Sequence, residues 1–203
     1  NYNIHDYWFF IWGGRGMNLP NKKYSIIYAD PAWSYNDKLK HHGGSADSHY
    51  STMTIDQICS IDVQKIADKN SFLFLWGTWA LLPHVLRVMD AWGFTYKTSA
   101  FVWLKTYKTG KDVFGMGNYT RGNTEYCLLG VKGKPKRISK FVSQLIKTTI
   151  RKHSQKPDIV RDKIVHLCGD LPRIELFSRT KVHGWDVWGN DPKLESKPLE
   201  AFT

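Results

Sequence analysis

Cysteine is scarce in this chain, and its three thiols, Cys59, Cys127 and Cys168, include no Cys-x-x-Cys pair. An odd count at such spacing excludes a disulfide framework, offers no zinc cluster and suits a reducing cytosol. No run approaches the roughly 18 consecutive apolar residues that a membrane-spanning helix needs. The first residues lack the basic patch, apolar stretch and small-residue cleavage site of a secretion signal. The Gly-x-x-x-x-Gly-Lys-Ser/Thr loop that argues for an ATPase is missing as well. Histidines are present but scattered: neither His41-His42 nor His153 has partners at metal-ligand spacing, so no catalytic metal is expected.

Acidic side chains are also few. Lys and Arg number 29 against 18 Asp and Glu, a formal charge of +11 over 203 residues. A field of that sign concentrates polyanions, which puts nucleic acid first among partners, and without a spanning apolar run no membrane partner is expected. A generally basic protein has the same balance, so charge alone does not decide. The length fits one domain with a sizeable core, and 42% apolar with 23% charged residues is an ordinary globular composition. Residues 1–16, with Tyr7-Trp8-Phe9-Phe10-Ile11-Trp12 and Gly13-Gly14-Arg15-Gly16, read unlike the rest. They are either extraneous sequence ahead of a native start at Met17 or an aromatic segment covering a pocket edge. The expectation is therefore a single domain over 17–203 with an extra segment before it.

Hydrophobic patterning predicts alternating strands and helices. Tyr24 to Ala29 is a short run rich in β-formers that ends abruptly at Asp30-Pro31, and Phe72 to Trp76 is a second buried strand. The polar segment 34–53 between them is long enough to be functional. Thr54 can cap a helix beginning at Ile55, and helical character continues from Ile61 to Asp68. Apolar residues from Trp79 to Trp92 recur at helical spacing, with Pro83 in the first turn and Gly93 at the cap. Phe94 to Leu104 and Tyr126 to Val131 should join the sheet, separated by a Gly-rich basic loop. Pro157 to Leu167 reads as a helix stopped by Gly169, and Arg173 to Phe177 as a last strand before a turn-rich tail. This order predicts an α/β fold with a mostly parallel sheet covered on both faces.

The most informative residues are Asp30-Pro31-Ala32-Trp33, directly after a buried strand, where open α/β sheets bind ligands. An adenine amine is a weak nucleophile because its lone pair is delocalised into the ring. Two acceptors binding its hydrogens, the Asp30 carboxylate and the Pro31 carbonyl, would favour the tetrahedral geometry needed for attack. Pro31 stiffens the turn, and Trp33 offers a stacking face for a flipped-out base. The plain alternative is an ordinary strand-ending turn with Trp33 in the core.

Six separated blocks decide between these readings: Ala29-Asp30-Pro31-Ala32-Trp33, His49-Tyr50-Ser51-Thr52-Met53, Phe72-Leu73-Phe74-Leu75-Trp76, Val102-Trp103-Leu104-Lys105-Thr106, Leu129-Gly130-Val131-Lys132-Gly133 and Glu175-Leu176-Phe177-Ser178-Arg179. In these blocks, from about residue 22 to residue 191, the chain resembles the MT-A70 family of adenine N6-methyltransferases. The resemblance implies a Rossmann-like class I methyltransferase fold with permuted motif order, the catalytic tetrapeptide early and the main cofactor strand late. It implies S-adenosylmethionine as cofactor, and since no cysteine nucleophile stands beside the tetrapeptide in the sequence, direct in-line transfer without a covalent enzyme intermediate is expected. The family's usual Asp-Pro-Pro-Trp reads Asp-Pro-Ala-Trp here, so Ala32 replaces one rigid ring and leaves the Pro31 acceptor in place.

By the same resemblance, Asp30 lies near the cofactor's methionine end and Lys156 holds its carboxylate. Glu175, Phe177 and Arg179 line the adenosine pocket, and Asn190 reaches the ribose or adenine, with Asp191 in the place of a Gln or Glu. Tyr50 helps to close the adenine pocket and Lys105 lies near substrate. Arg121 in the basic loop is a further substrate contact. Between Lys132 and Lys156 stand nine basic residues and no acidic one. That stretch reads as a phosphate track, with Lys134, Lys136 and Arg137 as its contacts. The substrate expected is DNA rather than RNA, and the setting the cytoplasm of a bacterium or phage-infected host, because no added regulatory domain is visible. An RNA-modifying enzyme with the same site and a catalytically silent nucleic-acid-binding subunit are the alternatives.

Overall fold

A computed structural model describes residues 18–34, 52–115, 117, 119–151 and 155–189. Two parallel strands, β1 (Tyr24–Ala29) and β2 (Ala67–Gly77), form its centre. A strand buried on both faces needs apolar side chains at nearly every position, which Ile26-Ile27-Tyr28-Ala29 and Phe72 to Trp76 supply. Because strand side chains alternate, neighbours part company. Ile27, Ala29, Leu73 and Leu75 enter one core cluster, whereas Ile26, Tyr28, Phe74 and Trp76 enter the other.

Five more strands complete the sheet: β3 (Thr95–Thr106), β4 (Thr124–Lys132), β5 (Leu145–Thr149), β6 (Arg173–Leu176) and β7 (Asp186–Trp188). The order is β5-β3-β4-β2-β1-β6-β7. Every neighbouring pair is parallel except those of β4, which runs against both β2 and β3. The expected mostly parallel α/β sheet is present.

Helices cover both faces. Helix α1 (Ile55–Cys59) starts with a capping box: Thr54 accepts the Gln57 backbone N–H while the Gln57 side chain accepts that of Thr54. Helix α2 (Leu82–Ala91) continues a 3₁₀ turn at Trp79–Leu81, carries Pro83 in its first turn and gives way to Gly93 at φ 77°. Ile58 of α1 and Val85, Val88 and Met89 of α2 pack into the first cluster. Helix α3 (Ile159–Cys168) packs Val160, Ile164 and Cys168 into the second and ends at Gly169, φ 95°. No helix among the described residues is long and apolar enough to cross a membrane.

Three expectations need correction. The helical reading of Ile61 to Asp68 fails: a 3₁₀ turn at Val63–Lys65 leads straight into β2. The Tyr24 N–H donates to the Ile66 carbonyl at 2.8 Å, so pairing with β1 overrides the local preference. Strands β5 and β7 come from segments without a strand signal, because an edge strand has one neighbour and tolerates exposed residues such as Leu145 and Lys147. Finally, β3 extends two residues beyond Leu104, to Thr106, which brings Lys105 into the sheet.

Candidate active site at the carboxyl edge of the sheet

Six strands point the same way, so their carboxyl ends share one edge, and the reversed β4 brings its amino end to that edge. Asp30 follows β1, Gly77 closes β2, Lys105 lies near the end of β3, Glu125 opens β4, Lys156 follows β5, and Phe177 and Arg179 follow β6. The path from β1 leads to β2 on one side and that from β6 to β7 on the other, so the strand order reverses between β1 and β6. A crevice at such a reversal is where ligands of open α/β sheets bind.

Four charged side chains from four segments meet there. The Lys156 ammonium donates to Asp30 Oδ2 at 2.7 Å and lies 3.3 Å from Glu125 Oε2. Lys105 donates to Glu125 Oε1 at 2.5 Å and lies over the Trp103 ring. Lys156 in turn sits 5.5 Å from the centre of the Trp76 ring. The quartet is formally neutral and largely out of water, which strengthens each pair.

Its protonation states differ within it. Burial pushes the Asp30 carboxyl above the usual aspartate value; Lys156 opposes this, Glu125 adds to it, and Arg179 opposes it weakly. Burial would raise Glu125 as well, but the Lys156 and Lys105 ammonium groups override it and hold that carboxyl low. Burial would lower Lys156, yet Asp30 and then Glu125 keep it firmly protonated. Glu125 thus shares with Asp30 a cation that lies closer to Asp30, and it stays low because it holds Lys105 as a second one.

The tetrapeptide is pinned by its own backbone. The Trp33 N–H donates to the Pro31 carbonyl at 2.9 Å, a tight turn that leaves that oxygen a second lone pair. Met53 N–H donates to the Ala32 carbonyl at 2.8 Å, and Ser34 N–H to the Met53 carbonyl at 3.1 Å. Trp33 is only 7% exposed, packs into the first core cluster and donates its indole N–H to the Trp76 carbonyl. Its ring fastens the turn to β2 and presents no open stacking face.

At the end of β6, Phe177 is a non-glycine residue with φ 62°. Such a conformation is strained and is kept where the surroundings require it, often at a ligand site. Its half-buried ring stacks on Trp92 and meets Trp188 edge-on at 5.5 Å. Gly189 packs so tightly on the Ser178 backbone that a Cβ there would collide with the Ser178 carbonyl.

The structure brings together Asp30, Pro31, Ala32, Lys105, Lys156, Phe177 and Arg179, and adds Glu125, which sequence reasoning missed. Glu175 is close by but engaged: Arg161 of α3 forks onto both its oxygens at 2.7 and 2.8 Å. Strand parity explains this, since Ile174 and Leu176 face the first cluster and Glu175 must face α3. Arg121 lies on the β3–β4 hairpin at the same edge, its guanidinium 5.9 Å from the Phe114 ring. Lys134, Lys136 and Arg137 are not brought to the site. The Lys134 N–H donates to Asn70 near the amino end of β2, and the Ile138 N–H donates to Leu167 at the end of α3. They occupy the opposite edge, roughly 20 Å away along β4. Tyr50, Asn190 and Asp191 lie outside the described residues.

A Rossmann-like sheet with this reversal, and with its tetrapeptide early and its Glu-Leu-Phe strand late, has the architecture of a methyltransferase. The chain belongs to the MT-A70 family, whose model matches residues 24–191. The Type II methyltransferase M.MunI of Mycoplasma sp is 35% identical over 198 residues, 87% of this chain and 82% of that protein. The N(6)-adenosine-methyltransferase catalytic subunit METTL3 of Homo sapiens is 28% identical over 164 residues, 77% of this chain and 26% of that protein. The N(6)-adenosine-methyltransferase MT-A70-like of Arabidopsis thaliana is 25% identical, with 82% of this chain and 23% of that protein covered. The chain thus spans about a quarter of the length of these two N(6)-adenosine-methyltransferases.

Proposed function

We propose that this chain transfers a methyl group from S-adenosylmethionine to the exocyclic N6 amine of adenine in DNA. The observation that carries the reading is the placement of the Asp30 carboxylate and the turn-forming Pro31 carbonyl side by side at the strand-order reversal. Asp30 and Pro31 would accept the two hydrogens of the amine, drawing its nitrogen out of conjugation so that the lone pair can attack. Lys156 favours the ionised form of Asp30 against its burial and fixes one of its oxygens, leaving the other to the substrate.

The residues present fit the cofactor. The strained, half-buried Phe177 ring offers an apolar wall for its adenine, and Arg179 supplies a hydrogen-bond donor beside it. Lys156 is the cation for its carboxylate, within reach of the same Asp30. When bound, the cofactor supplies an electrophilic methyl on a sulfonium. Transfer of that methyl from sulfur to nitrogen would leave S-adenosylhomocysteine, and Asp30 would accept the proton lost from nitrogen and pass it to water. Cys127 lies within electrostatic reach of Asp30, but it is buried and its thiol is pushed well up by that burial and by the Asp30 charge, which favours transfer without a covalent enzyme intermediate.

DNA is preferred because the Type II methyltransferase is the more similar of these relatives, at 35% identity against 28% for METTL3. The likeness to METTL3 supports RNA as the second reading. Incubating the protein with labelled S-adenosylmethionine and matched DNA and RNA oligonucleotides, then locating the label by nucleoside chromatography, separates them. N6-methyladenine in the DNA is the expected product. Label only in RNA selects the second reading, and label in neither rejects both.

A further inference from the structure

Beyond the last rungs of their ladder, β3 and β4 are joined at the site edge by a hairpin made of two successive turns, the end of β3 first folding back on residues 111–113. Thr106 bridges Asp112, and the Val113 N–H donates to the Lys105 carbonyl at 2.9 Å. Gly115 and Gly117 press on the opposite arm so closely that a Cβ on either would collide with the carbonyls of Gly122 and Thr120. Only glycine allows the arms to meet this way.

The hairpin turns its large side chains outward. Phe114 is 76% exposed and Tyr119 is fully exposed, while Arg121 sits over the Phe114 ring and Lys108 and Lys111 lie in solvent. At its root stands Trp79, 51% exposed. Its indole N–H donates to Thr124 Oγ1 at 2.9 Å and its ring rests on Tyr126 at 4.7 Å. Thr124 adjoins Glu125, which contacts Lys156 and through it Asp30. A single exposed aromatic needs no explanation, but two interleaved with cations on one projecting segment, with a third at its root beside the site, do.

We infer that this hairpin and Trp79 form the docking surface for an unpaired stretch of the substrate strand, whose bases stack on Trp79, Phe114 and Tyr119 and whose phosphates meet Lys108, Lys111 and Arg121. Aromatic rings with cations between them are the chemistry that holds single strands without reading sequence. A duplex offers no base faces, so the strand must be single or locally opened. The proposal rests on the adenine-methylating reading for where that strand leads, namely past Trp79 to Asp30.

The test uses the whole chain and a single-stranded DNA oligonucleotide carrying 2-aminopurine beside a target adenine, with binding read by fluorescence in the absence of cofactor. Wild type should quench the probe, and quench a matched duplex probe less. Phe114→Ala with Tyr119→Ala, and separately Trp79→Ala, should each raise Kd about tenfold or more and lose part of the quenching. Trp79→Phe should restore most of it, and far-ultraviolet circular dichroism should stay constant. Unchanged Kd and quenching in both variants would overturn the proposal. So would a wild-type dimer that becomes monomeric on substitution, since the aromatics would then cover a second copy of the chain. If the oligonucleotide binds with quenching but receives no methyl group, the functional reading fails while the docking surface stands.

Discussion

The two edges of the sheet carry charge of the same sign in opposite settings. At the carboxyl edge Lys105 and Lys156 are mostly buried, and each is held against a carboxylate. At the amino edge Lys134, Lys136 and Arg137 stand in water. The number of cations is similar, but the energetics are not. A desolvated ammonium fixes its partners and sets their protonation, whereas a solvated one adds a weak, salt-screened field. The chain between Lys132 and Lys156, which looks like one basic track on paper, runs from one edge to the other through β5 and so serves both.

The sharpest way to break this comparison is to remove Asp30 at one edge and the three exposed cations at the other. Asp30→Asn should lower turnover at least ~100-fold, because a preorganised acceptor is lost. Replacing Lys134, Lys136 and Arg137 together by Ala should leave kcat within about twofold, since positioning at the site does not depend on exposed charge far from it. Initial rates on one oligonucleotide decide. A larger loss from the triple variant would mean that the far edge positions the substrate.

A smaller effect tests the pair just inside the site. Arg161 and Glu175 are 13% and 10% exposed, so Arg161→Ala strands a buried carboxylate at a cost of about 3 kcal/mol. For a chain of this length the melting temperature should fall by about 6–12 °C. If stability holds and only cofactor affinity falls, Glu175 is a binding group, as the family resemblance implies.

The smallest effect is a shift in pH dependence. Asp30 must be ionised to accept a proton, so activity is lost as pH falls through its raised pKa. Glu125→Gln removes a negative neighbour that raises Asp30 and leaves Lys156 to Asp30 alone; both changes lower the Asp30 pKa. The acid limb of the rate profile should therefore move to lower pH. A limb that stays or rises would show that Glu125 does not share Lys156 with Asp30 in solution.

Much of this was legible in the chain, and the illegible parts have physical reasons. Strands β1 and β2 announce themselves because burial on both faces demands unbroken apolar runs. Strand β7 is three residues long and β5 is half solvated, so neither leaves a pattern. Asp30 stood out through its place after a buried strand, whereas Lys156 drew notice only through the resemblance. Glu125 was missed because it lies 95 positions from Asp30 and meets it only through the sheet. Its one signal was an acid at the start of an apolar strand, opposite Trp103 and diagonal to Lys105. The burial of Trp33 was the plain alternative to a stacking role; what the sequence could not tell is that the Trp76 carbonyl takes its indole N–H.

The reversal of β4 has a consequence for how such a domain can diversify. Both legs of its hairpin are planted on the rim, each anchored by a ladder of main-chain bonds, so the tip can lengthen, shorten or be exchanged without disturbing a core residue. A lineage could therefore acquire new targets by rewriting a dozen residues there while the transfer chemistry beneath stays untouched.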